Sequence, residues 1–315
     1  MSTKDSKFVS AVIYLHNDEA HVLPFLKMIT ETLDKYFGTY ELIFVNDAST
    51  DGSTAKICDF FENCESSGDM VSIVQMSHPQ GLEASMNAGR DAAIGDFVFE
   101  FDDLYVDYEP ELLYTIYRRA LEGYDIVSAG SDAKIKWTSG LFYRIYNRVS
   151  GADVKIGPET FRILTRRAIN RVKTIGQYIP YRKAVYMNCG LKTDKVIYHS
   201  TDKDGSLTKH FNRMERTSLA IDSFIYFTDL LEKVSMTISG IFIILTLVVG
   251  VDLLIEYLGH DTVEGWLSIM GFMSFGFMGI FILLTIILKY ISVLLNLEFR
   301  KQRYMISGVE KVIRE

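Results

Sequence analysis

The sequence predicts an α/β fold: a doubly wound, mostly parallel sheet followed by a C-terminal two-helix transmembrane hairpin. Three observations carry that expectation. Between residues 8 and 132, short apolar, β-rich runs alternate with amphipathic stretches of helical length, as in a parallel sheet wrapped by helices. Acids stand directly behind two of the apolar runs, Asp47 at the end of "YELIFVND" and Asp102 after "DFVFEF", at the strand ends where open α/β sheets collect ligands. Finally, Val234 to Val251 and Trp266 to Leu288 run for 18 and 23 positions without a charge, against roughly 20 for a spanning helix.

In chain order, "FVSAVIYL" reads as the first strand, followed by a helix near Val22 to Tyr36. The strand "YELIFVND" leads into "ASTDGS", and Asp51-Gly52-Ser53 marks the start of a helix near Ser53 to Asn63. "VSIVQMS", a helix near Gly81 to Ala93 and "DFVFEFDD" repeat the alternation, and Tyr108-Glu109-Pro110 opens a helix near Glu111. From Ala133 to Lys183 the charge balance changes, with 12 basic residues against 2 acidic ones, interleaved with Trp137, Phe142, Tyr143, Tyr146 and Tyr181. In a chain with apolar spans, this composition points to an interfacial, phosphate-binding surface.

Residues 211–233, with Leu219, Ile221, Phe224, Ile225 and Phe227 among them, read as an amphipathic interfacial helix. The spans occupy 234–295, and 296–315 is read as a basic tail. The connection Gly259 to Gly265 holds no Lys or Arg, whereas Lys289, Arg300, Lys301 and Arg303 follow the second span, which places both termini in the cytosol. The N-terminus, Met-Ser-Thr-Lys-Asp-Ser-Lys, passes directly into the first strand without a signal-peptide core. A cytosolic domain over 1–210 on the cytoplasmic (inner) membrane is therefore expected.

A net charge of −7 and 48% hydrophobic residues exclude a disordered chain. They also argue against a nucleic-acid binder, since the sign is wrong and no recognition-helix or RNA-platform motif is present. Cys58, Cys64 and Cys189 show no metal-ligand spacing and read as ordinary thiols.

The stretch "ELIFVNDASTDGS" resembles the "VDDGSTDGT" signature of family 2 glycosyltransferases. "LHNDEAHVLPFL" is similar to their "VYNEEENL" opening, and "QGLEASMNAGRDAAIGDFVFEFDD" to their "GKEAALxAGLxxAxGDxVxxxDAD" segment. "GYDIVSAG", "FYRIYNRVSG", "ETFRILTRRAI" and "GSLTKHFNRMERTSLAIDSF" follow in the order found in the polyprenyl-phosphate glycosyltransferases, the group of dolichol-phosphate mannose synthase. The resemblance implies a GT-A-like catalytic domain. It implies that Asp47 binds the nucleoside with Glu19 near the base, and that Asp102 opens the motif for ribose and a divalent cation, Mg²⁺ or Mn²⁺.

In that motif the second carboxylate position falls on Leu104, so Asp103 is the alternative ligand, and Asp107 or Glu109 can reach in from the next loop. Other departures are Tyr14 for a frequent proline, Leu82 for a frequent lysine, Asn46 for the first Asp of the pair and Thr160 for the Asp of "GDFR". That Asp is a candidate base toward hydroxyl acceptors; a lipid phosphate, with a second pKa of about 6, is already ionised and needs positioning instead. Glu159, beside Thr160, remains a candidate base.

Arg144 and Arg148 lie four apart, on one helical face. Arg clamps phosphate bidentately, so this pair is the candidate cradle for the diphosphate or lipid phosphate, with Arg162 from the "FR" block and Lys209 from "TKH". The expected reaction moves a sugar from a nucleotide sugar to a polyprenyl phosphate with inversion. The alternatives are transfer to a hydroxyl of a lipid or lipid-linked glycan, and a catalytically silent binding subunit. A homo-oligomer is compatible with the sequence.

Overall fold

The computed structural model describes residues 4–63, 70–132, 159–175, 181–201, 265–299 and 304–312, with scattered positions between 140 and 157 and between 237 and 248. Eight strands form one sheet: β1 Val9–Leu15, β2 Tyr40–Asn46, β3 Met70–Met76, β4 Phe97–Phe101, β5 Ile126–Ser131, β6 Phe161–Thr165, β7 Thr193–Tyr198 and β8 Ile306–Lys311, in the spatial order β7-β5-β6-β4-β1-β2-β3-β8. The helices are α1 Glu19–Tyr36, α2 Ser53–Glu62, α3 Leu82–Ala92, α4 Glu111–Leu121, α5 Arg166–Ile175, α6 Arg182–Asn188 and α7 Trp266–Phe299.

The first four strands and their helices fall where the alternating pattern puts them. β1 and β2 are almost entirely buried, as central parallel strands covered on both faces should be. The sheet is mixed rather than mostly parallel. β1 pairs parallel with β2 and β4, β2 with β3, and β5 with β7, whereas β6 runs antiparallel to both β4 and β5, and β8 runs antiparallel to β3. The reversal at β6 matters for the site, because it carries Phe161 and Arg162 alongside Phe101 and Glu100 of β4.

Two backbone positions explain local sequence choices. A Cβ on Gly89 of α3 would lie 2.4 Å from Val12 Cγ1 and 2.5 Å from Val45 Cγ2, so only glycine lets α3 pack this closely on β1 and β2. Ala48, just past β2, has φ +52°, a left-handed conformation that costs an L-residue roughly 1–2 kcal/mol; the family signature has glycine at this place. Ala48→Gly is expected to stabilise the fold by about 1 kcal/mol, after the larger chain entropy of glycine is offset, read as a shift in urea midpoint at constant slope.

The chain divides into two compact units, one of residues 1–147, 151–219 and 301–315, the other of 148–150 and 220–300. In the first, the segment expected as a tail supplies β8 and closes the β3 edge of the sheet. In the second, α7 is 34 residues long and exposes Ile269, Met273, Phe277, Ile280, Leu284, Ile287, Leu288, Ile291 and Leu294. Among the described residues, no helix is long and apolar enough to cross a membrane, so the two-helix transmembrane hairpin expected from the sequence is not seen in them; α7 holds only Lys289 and Glu298 as charges. Of the first expected span, the described positions Ile241, Ile244 and Val248 are helical and exposed. The expected interfacial helix over 211–233 lies outside the described residues.

Candidate active site

The carboxyl ends of β1, β2 and β4 meet at one rim of the sheet, and the side chains there form two groups. At the end of β2, Asp47 is 1% exposed. Its Oδ1 accepts the backbone N–H of Gln80 at 2.7 Å, and its Oδ2 accepts the N–H of Gly81 at 2.9 Å and the Tyr14 hydroxyl at 3.0 Å. Tyr14, a departure from the family pattern, thus becomes a donor to Asp47. Gly81 has φ +84°, which glycine adopts freely. Asn46 bonds the Gln75 side chain through Nδ2 at 2.6 Å and the Ser49 N–H through Oδ1 at 3.0 Å. Glu19 lies across the start of α2, accepting Gly52 N–H at 3.2 Å and pairing with Lys56 at 3.2 Å. Asp51 accepts the N–H groups of Glu19 and Ser53 at 3.0 and 3.1 Å, which is a capping role.

The second group is a buried charge network. Glu100 sits in the apolar run of β4 and is fully buried, which demands a counter-charge. It has two. Its Oε2 accepts from Arg162 at 3.0 Å and from Arg182 at 2.8 Å, and its Oε1 from the Tyr186 hydroxyl at 2.8 Å. The same two guanidiniums take both oxygens of Asp102, Arg182 on Oδ1 and Arg162 on Oδ2, each at 2.7 Å. Arg182 also reaches Glu83 at 2.8 Å, Arg162 approaches Glu159 at 3.4 Å, and Arg90 donates to Tyr186 at 3.0 Å and Asn87 at 2.7 Å. Burial alone would push the Asp102 carboxyl up, but Arg162 and Arg182 outweigh it and hold the group far below the usual carboxylate range. Burial likewise pushes the Tyr186 phenol up, with Glu100 adding to the shift.

Thr160, at the place of the family's aspartate, shares a hydrogen bond of 2.6 Å with the Tyr198 hydroxyl, which donates to Asp107 at 2.6 Å. Ser200 holds the other Asp107 oxygen at 2.9 Å. The loop after Asp102 is therefore pinned to the end of β7. Asp107 is engaged there. Glu159 is buried beside Thr160, and its Oε1 has no hydrogen-bond partner among the described residues.

The structure brings Asp102, Arg162 and Glu159 together, and sets Glu19 and Asp47 at the neighbouring strand end. Arg144 and Arg148 are helical and exposed, and Lys209 lies outside the described residues. The cation site expected at Asp102 and Asp103 is not assembled: both Asp102 oxygens are on guanidiniums, Asp103 Oδ1 accepts Tyr105 N–H at 3.1 Å, and Leu104 is packed in the core at 2% exposure. Among the described residues, no three His, Cys, Asp or Glu side chains are grouped to hold a metal ion. Sequence reasoning missed Glu83, Arg90, Glu100, Arg182 and Tyr186. The signal was available for Glu100, an acid inside "FVFEF", and for α3, where Glu83, Asn87 and Arg90 recur on one face.

Comparison with known proteins accords with this architecture. An uncharacterised glycosyltransferase of Synechocystis sp. is 29% identical over 272 residues, 83% of each chain. The bactoprenol glucosyl transferase of Shigella phage SfX is 25% identical over 228 residues, 70% of this chain and 72% of that one. Among solved structures, the mannosyltransferase PcManGT of Pyrobaculum calidifontis, in complex with GDP-Man and Mn²⁺, shares the fold with a TM-score of 0.51 at 14% identity, over 70% of this chain and 64% of that one. This chain thus spans less than two thirds of that mannosyltransferase. The model of glycosyl transferase family 2 matches residues 10–189, more than half of the 315 residues, and the chain belongs to that family.

Proposed function

We propose that the protein is a membrane-anchored, inverting glycosyltransferase that moves a sugar from a nucleotide sugar to a polyprenyl phosphate at the cytoplasmic face. The observation that carries this reading is α7, a long helix with an exposed apolar surface in the same chain as a family 2 catalytic unit. An enzyme whose acceptor cannot leave the bilayer has to work beside it. The similarity to bactoprenol glucosyl transferases supports the same acceptor class.

In the reaction, a phosphate oxygen of the lipid attacks the anomeric carbon from the side opposite the leaving group. The bond from that carbon to the nucleoside diphosphate breaks, and the configuration inverts. The lipid phosphate is ionised near neutral pH, so no proton has to be removed, and Thr160 in place of an aspartate costs nothing. Asp47 and Glu19 receive the nucleoside. The exposed Arg144 offers a guanidinium to the lipid phosphate, and Arg162 with Arg182 fixes Asp102 at the strand end. Among the described residues, none are grouped to cradle a cation.

Purified protein in liposomes with undecaprenyl phosphate and labelled UDP and GDP sugars should place label in the lipid phase. Dephosphorylated undecaprenol should stay unlabelled. Glu159→Gln is expected to leave transfer to the phosphate within about threefold, whereas general-base assistance to a hydroxyl acceptor contributes roughly 10²–10⁴-fold. Labelling of undecaprenol that collapses in Glu159→Gln would replace this reading with the hydroxyl-acceptor one.

A further inference from the structure

Residues 304–311 pack on the catalytic sheet, and their bonds reach Gln75 and Gln80, the residues that in turn bond Asn46, which ends β2, and Asp47 just past it. Met305 is the centre of the contact. Its N–H donates to Gln80 Oε1 at 2.9 Å, and its carbonyl accepts from Gln80 Nε2 at 2.7 Å and from the N–H of Ser77 at 3.0 Å. The Gln80 side chain therefore pairs with Met305 as a neighbouring strand would. The backbone N–H groups of Gln80 and Gly81 in turn hold Asp47.

Gln75 repeats the arrangement one step along. Its carbonyl accepts from the Ser307 hydroxyl at 3.0 Å, its Nε2 reaches Glu310 at 3.4 Å, and its Oε1 accepts from Asn46 at 2.6 Å. Tyr304 donates to Asp91 of α3 at 3.1 Å. A strand that only protected the β3 edge would need the backbone ladder alone. Here two glutamine side chains add a second tier of bonds, and both lead to the residues at the end of β2.

We propose that β8 is a working part of the donor pocket, with Gln80 and Gln75 as positioning residues that transmit its placement to Asp47 and Asn46. This rests on the reading of that strand end as the nucleotide-sugar site. The strand lies between Phe299, where α7 ends, and the C-terminus, so the rim of the donor pocket is held by the chain that leaves the apolar helix.

Gln80→Leu keeps the approximate volume and removes both bonds to Met305, and Gln80→Glu keeps the acceptor but cannot donate. In the full chain, Gln80→Leu should raise KM for the nucleotide sugar about fivefold to tenfold, the effect of one or two net hydrogen bonds, with kcat and the lipid-acceptor KM within about twofold. Gln80→Glu should fall between it and the parent, and Gln75→Leu should act in the same direction. Amide hydrogen exchange at Gln80 and Gly81 should quicken in Gln80→Leu. Unchanged donor KM and unchanged exchange, even with a lower melting temperature, would reduce β8 to an edge cap and overturn the inference. A parent that binds no nucleotide sugar in calorimetry would overturn the functional reading as well, a result separable from the first because it precedes any variant.

Discussion

Arg182→Met is expected to lower the stability of the catalytic unit by about 3–5 kcal/mol, because removing one partner of a buried ion cluster leaves the others uncompensated. Arg182 is fully buried and bonds Glu83, Glu100 and Asp102. Without it, Arg162 is the remaining guanidinium ion-paired to Glu100, Asp102 and Glu159 among the described residues. Urea unfolding in detergent should show the loss as a shifted midpoint at constant slope. The double variant Arg182→Met with Glu100→Gln should be less destabilised than the sum of its parts, since it removes charge of both signs. A single variant within about 1 kcal/mol of the parent would mean that water or rearrangement replaces the guanidinium, and that the network does not hold the site.

The same cluster sets an acid-side dependence. Asp102 is held below the ordinary carboxylate range in the folded state. Its stabilising contribution is therefore complete above the unfolded value of about 3.9, and is lost as pH falls from there toward the folded value. In Arg182→Met the largest remaining attraction on Asp102 is that of Arg162, so the folded value moves back toward the unfolded one. Below pH about 4, the variant's stability should then change less with pH than the parent's.

Legibility in the sequence follows the range of the interactions involved. The strands β1 to β4 and helices α1 to α4 could be read locally, because apolar runs of strand length such as "VSAVIYL" alternate with amphipathic helices. β6 could not, since its antiparallel place between β4 and β5 depends on pairing across long separations. β8 was hidden for a similar reason: its pattern is nearly all exposed, so no buried face marks it as a strand. Asp47, Asp102, Arg162 and Glu159 were expected from motif position, and the structure places Asp102, Arg162 and Glu159 side by side. Arg182 was grouped only with the basic run, because its meaning comes from Glu83 and Glu100, 99 and 82 positions away. Leu104 shows the limit of a motif: the sequence marked a missing carboxylate, and only the fold shows that side chain in the core while Asp102 turns to two arginines.

Ile280→Asp combined with Ile287→Asp should weaken the protein's hold on the membrane fraction, with the apolar run Val234 to Val251 left unchanged. Both positions are exposed in the middle part of α7, seven residues apart and so on one helical face. An Asp near the centre of a spanning helix costs about 2.5–3.5 kcal/mol, and two together disfavour insertion by roughly four orders of magnitude. At about 1.5 Å per residue, the 34 residues of α7 exceed the roughly 30 Å hydrocarbon core, so on the proposed membrane-anchored reading a tilt or an extension past the bilayer would absorb the difference. The measurement is distribution between alkaline-washed membranes and the soluble fraction, with nucleotide-sugar binding followed in both. The parent should stay with the membranes, and the double variant should be washed out more readily while retaining nucleotide-sugar binding, since the substituted positions lie outside the compact unit that holds Asp47 and Asp102, the proposed donor site. Transfer to a bilayer-embedded polyprenyl phosphate should fall with the released fraction. If the parent itself washes off, α7 buries its apolar face against protein instead, and the lipid acceptor loses the observation on which it stands.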